Sequence, residues 1–306
     1  MTTGYSKYVE HGEFDRWFVL PGSMLAFDLF IRDVRITLED RLSYQQDPAE
    51  RAVITGTARY GGLENLAGVR ALADLNDLTV MGSYHHLLFI STASEFEHLD
   101  RSSHQLFTRL TLEPKPFLDI GAEAGLTPTT YLDSFLRDNL SYSGGGFFEL
   151  TPTKHIAVQG RGGAVLYHYD KASGPGADQD VQNFYFGLNL THRPTKFLAL
   201  TLSGGNESQL GVNQDLVELA YVRFAVQWTV SRRLTMGGDI SFEDGEESGL
   251  FEPEEFQRWG AGVAATWQFH RKWYGRLAYR YLDRDSDLPS KSYQNHRIWL
   301  EIAYRN

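Results

Sequence analysis

Arginines and carboxylates recur at even spacings inside otherwise apolar segments. Arg276 and Arg280 are four residues apart near the end of the chain. Arg297 and Glu301 repeat that spacing shortly afterwards. Residues an even number apart project from the same face of a β-strand, so each pair shares a face. Because arginine forms planar, two-point pairs with carboxylates, such a face could hold ion pairs or select charged solutes.

The positions between the charges are apolar and define a second face. In 257–269, Trp259, Val263 and Trp267 alternate with Arg258 and small or polar residues. A soluble sandwich also alternates, but its strands are usually only about 5–6 residues long, whereas these segments reach roughly 10–15. A dry core would not tolerate charges in mid-strand. The pattern therefore predicts transmembrane strands, with one face towards lipid and one towards an aqueous lumen.

The polar face supplies the candidate functional residues. The cations among them are all arginines, whereas the seven lysines lie in predicted turns, loops or the N-terminal arm. One interpretation is a ladder of ion pairs that stiffens the wall. The other is an electrostatic lining that selects solutes. The predicted pore-lining residues are Arg35, Glu39, Arg109, Asp119, Glu123, Arg161, Arg223, Arg258, Arg276, Arg280, Arg297 and Glu301.

Four of these arginines fall on the last three predicted strands: Arg258, Arg276, Arg280 and Arg297. Glu301 is the one obvious partner in that region. If arginines outnumber their partners there, that wall is positive and favours anions. Asp119 and Glu123 are expected on a different part of the circumference.

Short and long connections alternate along the chain. Short turns are predicted near 76–77, 114–116, 151–154, 193–196, 231–233 and 270–272, with longer polar loops between them. The strands predicted from this alternation are 27–45, 55–75, 78–90, 102–113, 117–126, 137–150, 155–169, 181–193, 197–207, 216–229, 234–243, 257–269, 273–283 and 293–304. The weakest of these strand predictions is 55–75. Leu63, Leu66 and Val69 also follow helical spacing, so this segment could instead be a helix that acts as a plug or a lid.

The net charge and amino-acid composition of the sequence argue against several classes of protein. A net charge of −10 without a basic block argues against nucleic-acid binding. The sequence has no cysteine, which removes disulfides and thiolate chemistry. No apolar run approaches the roughly 18–20 residues of a spanning helix. The first residues show no charged segment followed by an apolar one, so we expect a secretory signal to lie outside this numbering.

Enzyme motifs are weak. His98, Asp100, Ser102, Ser103 and His104 could form a hydrolytic triad only if they converged in space. The acids between Asp244 and Glu255 could bind Ca²⁺, although a solvated loop explains them equally well. His85 and His86 are expected on opposite faces of a strand. No catalytic residue, metal or cofactor is predicted, and the chain is not expected to be an enzyme.

Other features carry a family resemblance. They are the repeated turns 151–155 (TPTKH) and 193–197 (RPTKF), the glycine-interleaved strand 142–150 and the tail 280–305. Together they resemble the β-barrel porin and outer-membrane β-barrel families of Gram-negative bacteria. Such families usually end on an aromatic residue, whereas this sequence ends Tyr304-Arg305-Asn306.

The resemblance implies an all-β fold, a closed antiparallel up-and-down transmembrane barrel of about 14 strands with short periplasmic turns and longer extracellular loops. Residues 1–24 would form a periplasmic arm and 25–306 the barrel. It implies an outer-membrane, porin-like channel for small hydrophilic solutes, surrounded by lipid and lipopolysaccharide. One alternative is a non-conducting barrel that acts as a structural anchor or docks an envelope protein partner. The other alternative is an outer-membrane hydrolase.

Overall fold

The described part of the chain is built mainly of antiparallel β-strands. The computed structural model describes residues 3–6, 16–19, 23–45, 62–92, 94–133, 138–170, 180–210, 216–248 and 253–304. The strands are β1 (Thr3–Ser6), β2 (Arg16–Val19), β3 (Met24–Ile31), β4 (Val34–Gln45), β5 (Gly62–Leu75), β6 (Leu78–Ser91), β7 (Arg101–Lys115), β8 (Leu118–Tyr131), β9 (Asn139–Thr153), β10 (Ile156–Tyr169), β11 (Val181–Thr195), β12 (Leu198–Leu210), β13 (Leu216–Ser231), β14 (Leu234–Ser248), β15 (Glu254–His270), β16 (Trp273–Ser286) and β17 (Tyr293–Tyr304).

Fifteen of the described strands, β3 to β17, are long, so the predicted count of fourteen is wrong. The error lies in 27–45, which is a hairpin of β3 and β4 rather than one strand. Its turn is at Arg32 and Asp33, and Arg32 has a φ of 52°. Glycine and asparagine are the usual residues at such a left-handed position, so an arginine there gives no turn signal.

The three short turns that contain proline lie slightly later than predicted, because the preceding strands extend through the prolines. The pairing of β7 with β8 shifts between Leu112 and Lys115, and that of β11 with β12 shifts between His192 and Thr195. Pro114 and Pro194 fall inside these irregularities. Proline cannot donate to the ladder, and a bulge tolerates it.

The repeated Thr-Lys segments close two of these turns in the same way. The hydroxyl of Thr153 accepts a hydrogen bond from the N–H of His155, and that of Thr195 accepts one from Phe197, both at 3.2 Å. These are hydroxyl-closed turns, which explains why the two segments look alike in the sequence.

The ambiguous segment is a strand over its described length. β5 pairs along its whole length with β6, and its residues 62–73 pair with β4, so the helical alternative for 63–75 is wrong. Residues 55–61 and the predicted loop 46–52 lie outside the described residues, as does most of the predicted loop 170–180. Of the predicted arm 1–24, β1 and β2 are described and pair with each other.

The chain divides into two compact units. Unit 1 contains residues 1–147, 162–184 and 212–214, and unit 2 contains 148–161, 185–211 and 215–306. In unit 1, β3 to β8 are successive antiparallel neighbours. In unit 2, β12 to β17 follow the same pattern. Consecutive pairing explains the short turns, since neighbouring antiparallel strands need few connecting residues.

Each unit has a polar and an apolar face. The apolar face is accessible: Ile298 on β17 keeps 72% of its surface exposed and Val263 on β15 keeps 60%. Two short 3-10 helices, Ser94–Leu99 and Pro289–Lys291, lie in loops of the described chain. None of the helices in the described ranges is long and apolar enough to cross a membrane.

Candidate functional site

The twelve predicted pore-lining residues lie on the polar faces of their strands. In unit 1 the register aligns Glu39 with Gly68, Gly68 with His85 and His85 with Gln105, so these positions share a face. In unit 2, Glu243 is aligned with both Tyr221 and Arg258. The period-2 prediction therefore describes the faces correctly, and a pore-lining role stays a prediction.

The polar face of unit 1 is organised around Glu39, a residue of β4 whose side chain is only 2% exposed. Its Oε1 accepts a hydrogen bond from Arg41 at 3.2 Å and lies 2.7 Å from Nε2 of His85. Its Oε2 accepts one from Arg70 on β5, also at 3.2 Å. A buried carboxylate needs such partners, and here three adjacent strands supply them.

Sequence reasoning missed His85 as a member of this cluster. Its neighbour His86 points to the other face and contacts Ser102 at 2.8 Å, which confirms that the two histidines diverge. The sequence does indicate the face of His85, because His85 lies an even number of residues from Met81 and Ser83 on β6. Only the register of β4, β5 and β6 shows that its partner is Glu39.

A cavity of about 360 Å³ opens beside this cluster in unit 1. Its lining includes the charged cluster of Glu39, Arg41, Arg70 and His85. The other side chains that line it are hydroxyl groups, an amide, a ring and three aliphatic chains: Ser83, Thr127, Ser143, Gln105, Phe107, Leu66, Met81 and Leu106. Gly125 also lines the cavity, and a Cβ there would lie 2.5 Å from the hydroxyl of Ser143.

The other predicted pore-lining residues of unit 1 lie on β4, β7 and β8. Arg109 stacks on the ring of Phe147, with its guanidinium carbon 3.5 Å from the ring centre. Glu123 is aligned with Arg109 across the two strands. Asp119 shares the face of Glu123, and Arg35 shares that of Glu39.

In unit 2 one carboxylate joins three consecutive strands. Glu243 on β14 accepts a hydrogen bond from Arg223 on β13 at 2.8 Å. It also accepts one from Nε of Arg258 on β15 at 2.6 Å. Glu243 and Arg258 are buried, while Arg223 is nearly half exposed. Arg161, on β10, lies with its guanidinium 6.0 Å from the ring centre of Tyr185.

The arginines near the C-terminus have more partners than expected. Arg280 lies 3.6 Å from Asp239 on β14, and Arg276 lies 4.0 Å from Glu301 on β17. Arg258 is paired with Glu243, and Arg297 lies over the ring of Trp299 at 5.4 Å. Glu301 is therefore one of three carboxylates serving this region. The pairs of Arg276 and Arg280 stay accessible, so these side chains can meet a solute.

A second buried cluster was not singled out from the sequence. Arg284 on β16 donates to Glu254 on β15 at 2.9 Å, and neither side chain is exposed. Lys291, from the loop before β17, donates to the same carboxylate at 3.1 Å and lies 3.9 Å from Glu247. Arg284 also lies over the ring of Phe256. Lys291 lies in a loop, as predicted, and its ammonium group reaches into this network.

A triad through His104, Ser103 and Asp100 does not assemble. Nδ1 of His104 lies 2.8 Å from the hydroxyl of Tyr84 on the apolar face. Ser103 bonds Thr129 on the polar face, and Asp100 accepts from the backbone of Ser91. The hydroxyl, imidazole and carboxylate groups thus point to different neighbours.

No protein-family model matches the sequence, and no curated protein matches it either. Solved structures do match the fold. The FrpB iron transporter from Neisseria meningitidis (F5-1 variant, apoprotein) has a TM-score of 0.62 and 8% identity, covering 92% of this chain and 56% of that one. The copper transporter OprC has a TM-score of 0.55 and 12% identity over the same shares. OccK3 (OpdO) from Pseudomonas aeruginosa has a TM-score of 0.50 and 11% identity, covering 91% and 79%.

These matches confirm the resemblance at the level of the fold: the chain has the fold of Gram-negative outer-membrane β-barrel proteins. The chain spans 56% of the length of the first two structures and about four fifths of the third. At 12% identity or less, these matches show the fold of the chain and do not show which solutes it binds or conducts.

Proposed function

We propose that the long strands close into a barrel in the outer membrane and that its lumen conducts small hydrophilic solutes passively. The single observation that carries this proposal is that the described long strands place their charged side chains on one face and large exposed apolar side chains on the other. Contiguous apolar surface on this scale is costly in water and favourable against lipid. The charged face then has to meet water, which a lumen supplies.

Accessible arginines support an anion preference. Arg223, Arg276 and Arg280 each keep more than a third of their side chain exposed although each lies near a carboxylate. A guanidinium retains its charge at any physiological pH and can contact an anion with its remaining N–H groups. We propose that the twelve polar-face residues named above line the pore, that residues 1–24 form a periplasmic arm, and that lipid and lipopolysaccharide cover the apolar face. No catalytic role is proposed.

Single-channel conductance tests this function. The purified, refolded protein is added to a planar bilayer under a salt gradient, and current steps and reversal potential are recorded. Stable steps with an anion-shifted reversal potential are the expected result. A correctly folded protein that gives no steps contradicts the channel.

A non-conducting barrel that anchors or docks an envelope protein is the second candidate. The buried Arg284–Glu254–Lys291 network favours it, because buried ion pairs fix strand positions without offering a solute any contact. A silent but folded barrel in the bilayer experiment would favour this candidate, and a partner would then be sought by crosslinking in the envelope.

A further inference from the structure

We infer that the cavity beside Glu39 is a binding site for a small hydroxylated carboxylate, such as a sugar acid. The inference rests on the proposed function only where it places the site on the path of a solute. The binding site itself is argued from residues of unit 1 alone.

The charge of the cavity wall points to an anion. Glu39 engages both of its oxygens, with Arg41 and His85 on one and Arg70 on the other. Its side chain is 2% exposed, so it offers a ligand no acceptor, whereas Arg41 and Arg70 keep about two fifths of their surface. Two guanidiniums against one carboxylate leave one net positive charge at the wall. That excess suits a monoanion.

The arginines also have hydrogen-bonding capacity that the cluster does not use. Each donates to Glu39 from a single Nη2 atom. Nε of Arg41 and Nε of Arg70 are buried and have no hydrogen-bond partner among the described residues. A guanidinium carries five N–H groups, and a ligand in the cavity can reach those on the exposed part of each side chain rather than the buried Nε. Carboxylates accept from guanidinium groups in a planar, two-point geometry.

The uncharged residues of the lining decide what the carboxylate is attached to. Ser83, Thr127 and Ser143 present hydroxyls, and Gln105 presents an amide, so a ligand with several hydroxyl groups finds both donors and acceptors. Phe107 supplies an apolar surface for carbon-bound hydrogens. A volume of about 360 Å³ is at the small end of ligand pockets, which typically hold roughly 300–1,000 Å³. Leu66, Met81 and Leu106 add apolar surface, so the lining suits a six-carbon sugar acid, which presents both hydroxyl groups and carbon-bound hydrogens.

Calorimetric titration of the purified protein in detergent solution with sodium gluconate tests the inference. Glucose is the matched neutral probe. We expect saturable gluconate binding and no measurable glucose binding. Arg70→Gln and Arg41→Gln should each lower the affinity about tenfold or more, because each loses a hydrogen bond to a charged group. Arg271→Gln, in a two-residue turn of unit 2, removes the same charge and should leave the affinity unchanged.

An occlusion variant separates binding from loss of fold. Gly125→Val places two methyl groups in the cavity without changing charge and should abolish gluconate binding. Gly82→Val, on the apolar face of β6 with open space around its Cβ, is the control and should bind as the unmodified protein does. Resistance of the folded band to detergent without heating checks each variant for correct folding.

The outcomes are distinguishable from those of the channel experiment. Gluconate binding that depends on Arg70 and Gly125 supports the site even if the bilayer recordings are silent, in which case only the channel fails. Absence of gluconate binding to the unmodified protein overturns the site, as does equal binding of glucose. Unchanged affinity in a folded Gly125→Val protein would overturn it too, whatever the conductance.

Discussion

Nε of Arg258 donates a hydrogen bond of 2.6 Å to Oε2 of Glu243, directly across β15 and β14. The same carboxylate accepts Arg223 from β13. Arg223 and Arg258, which are 20 and 15 positions from Glu243 in the sequence, therefore share one carboxylate. This carboxylate links three strands at a buried point of the polar face.

Replacement of this carboxylate should destabilise the fold. In Glu243→Gln, Arg258 remains buried without its counter-charge, and we expect a loss of about 3 kcal/mol in the free energy of unfolding. The measurement is equilibrium urea unfolding of protein refolded in lipid vesicles, followed by tryptophan fluorescence. Asp239→Asn is the control, because its pair with Arg280 is accessible and should contribute less than about 1 kcal/mol. Equal losses in the two variants would contradict the assigned burial.

The fully buried pair of Arg284 and Glu254 should show strong coupling. Glu254→Met alone leaves a buried guanidinium without its carboxylate and should cost about 3 kcal/mol or more. The double variant Arg284→Met with Glu254→Met should recover part of that loss, since it removes both charges of the pair and leaves Lys291 3.9 Å from Glu247. A double-mutant cycle on unfolding free energies measures the coupling. Simple additivity of the single changes would argue against a direct pair.

The apolar face can be tested for contact with lipid. Val263→Arg puts a charge near the middle of β15 on that face and should cost about 2–4 kcal/mol in a bilayer. Ala225→Arg is the matched control, because it lies on the polar face of β13 opposite Asp239. Unfolding in vesicles compares the two. If Val263→Arg proved neutral, the apolar face would not be lipid-facing.

The accessible arginines should set ion preference. Arg276→Ala combined with Arg280→Ala removes two positive charges from the polar face, and the anion-directed shift of the reversal potential should fall by about half or more. Arg232→Ala combined with Arg233→Ala removes the same charge from a turn and should leave the shift in place. Bilayer recordings under a salt gradient measure both. A shift that survives the first double variant would assign selectivity to other residues.

One glycine is required by close packing on the polar face. A Cβ at Gly121 would overlap the carbonyl oxygen of Leu110 and the ring of Phe147, on which Arg109 stacks. Gly121→Val should therefore cost about 1–3 kcal/mol in unfolding free energy. At Gly144, which has open space around its Cβ, the same change should have little effect. Comparable losses at both positions would show that strand propensity, not packing, is responsible.

The sequence determined the strand type, the faces and the alternation of short and long connections, because period-2 polarity and turn chemistry are local properties. It was enough to place all twelve candidate residues on the polar faces and to separate His85 from His86. The hairpin at Arg32 escaped prediction because its left-handed turn uses an arginine, which carries no local signal.

The tertiary structure alone decided which charges meet. His85 reaches Glu39 and Asp239 reaches Arg280 only because the registers of the intervening strand pairs align them. A shift of one residue in any register would turn these side chains to the other face. These two contacts join residues 46 and 41 positions apart in the chain, so the alternation of polarity within one strand cannot predict them.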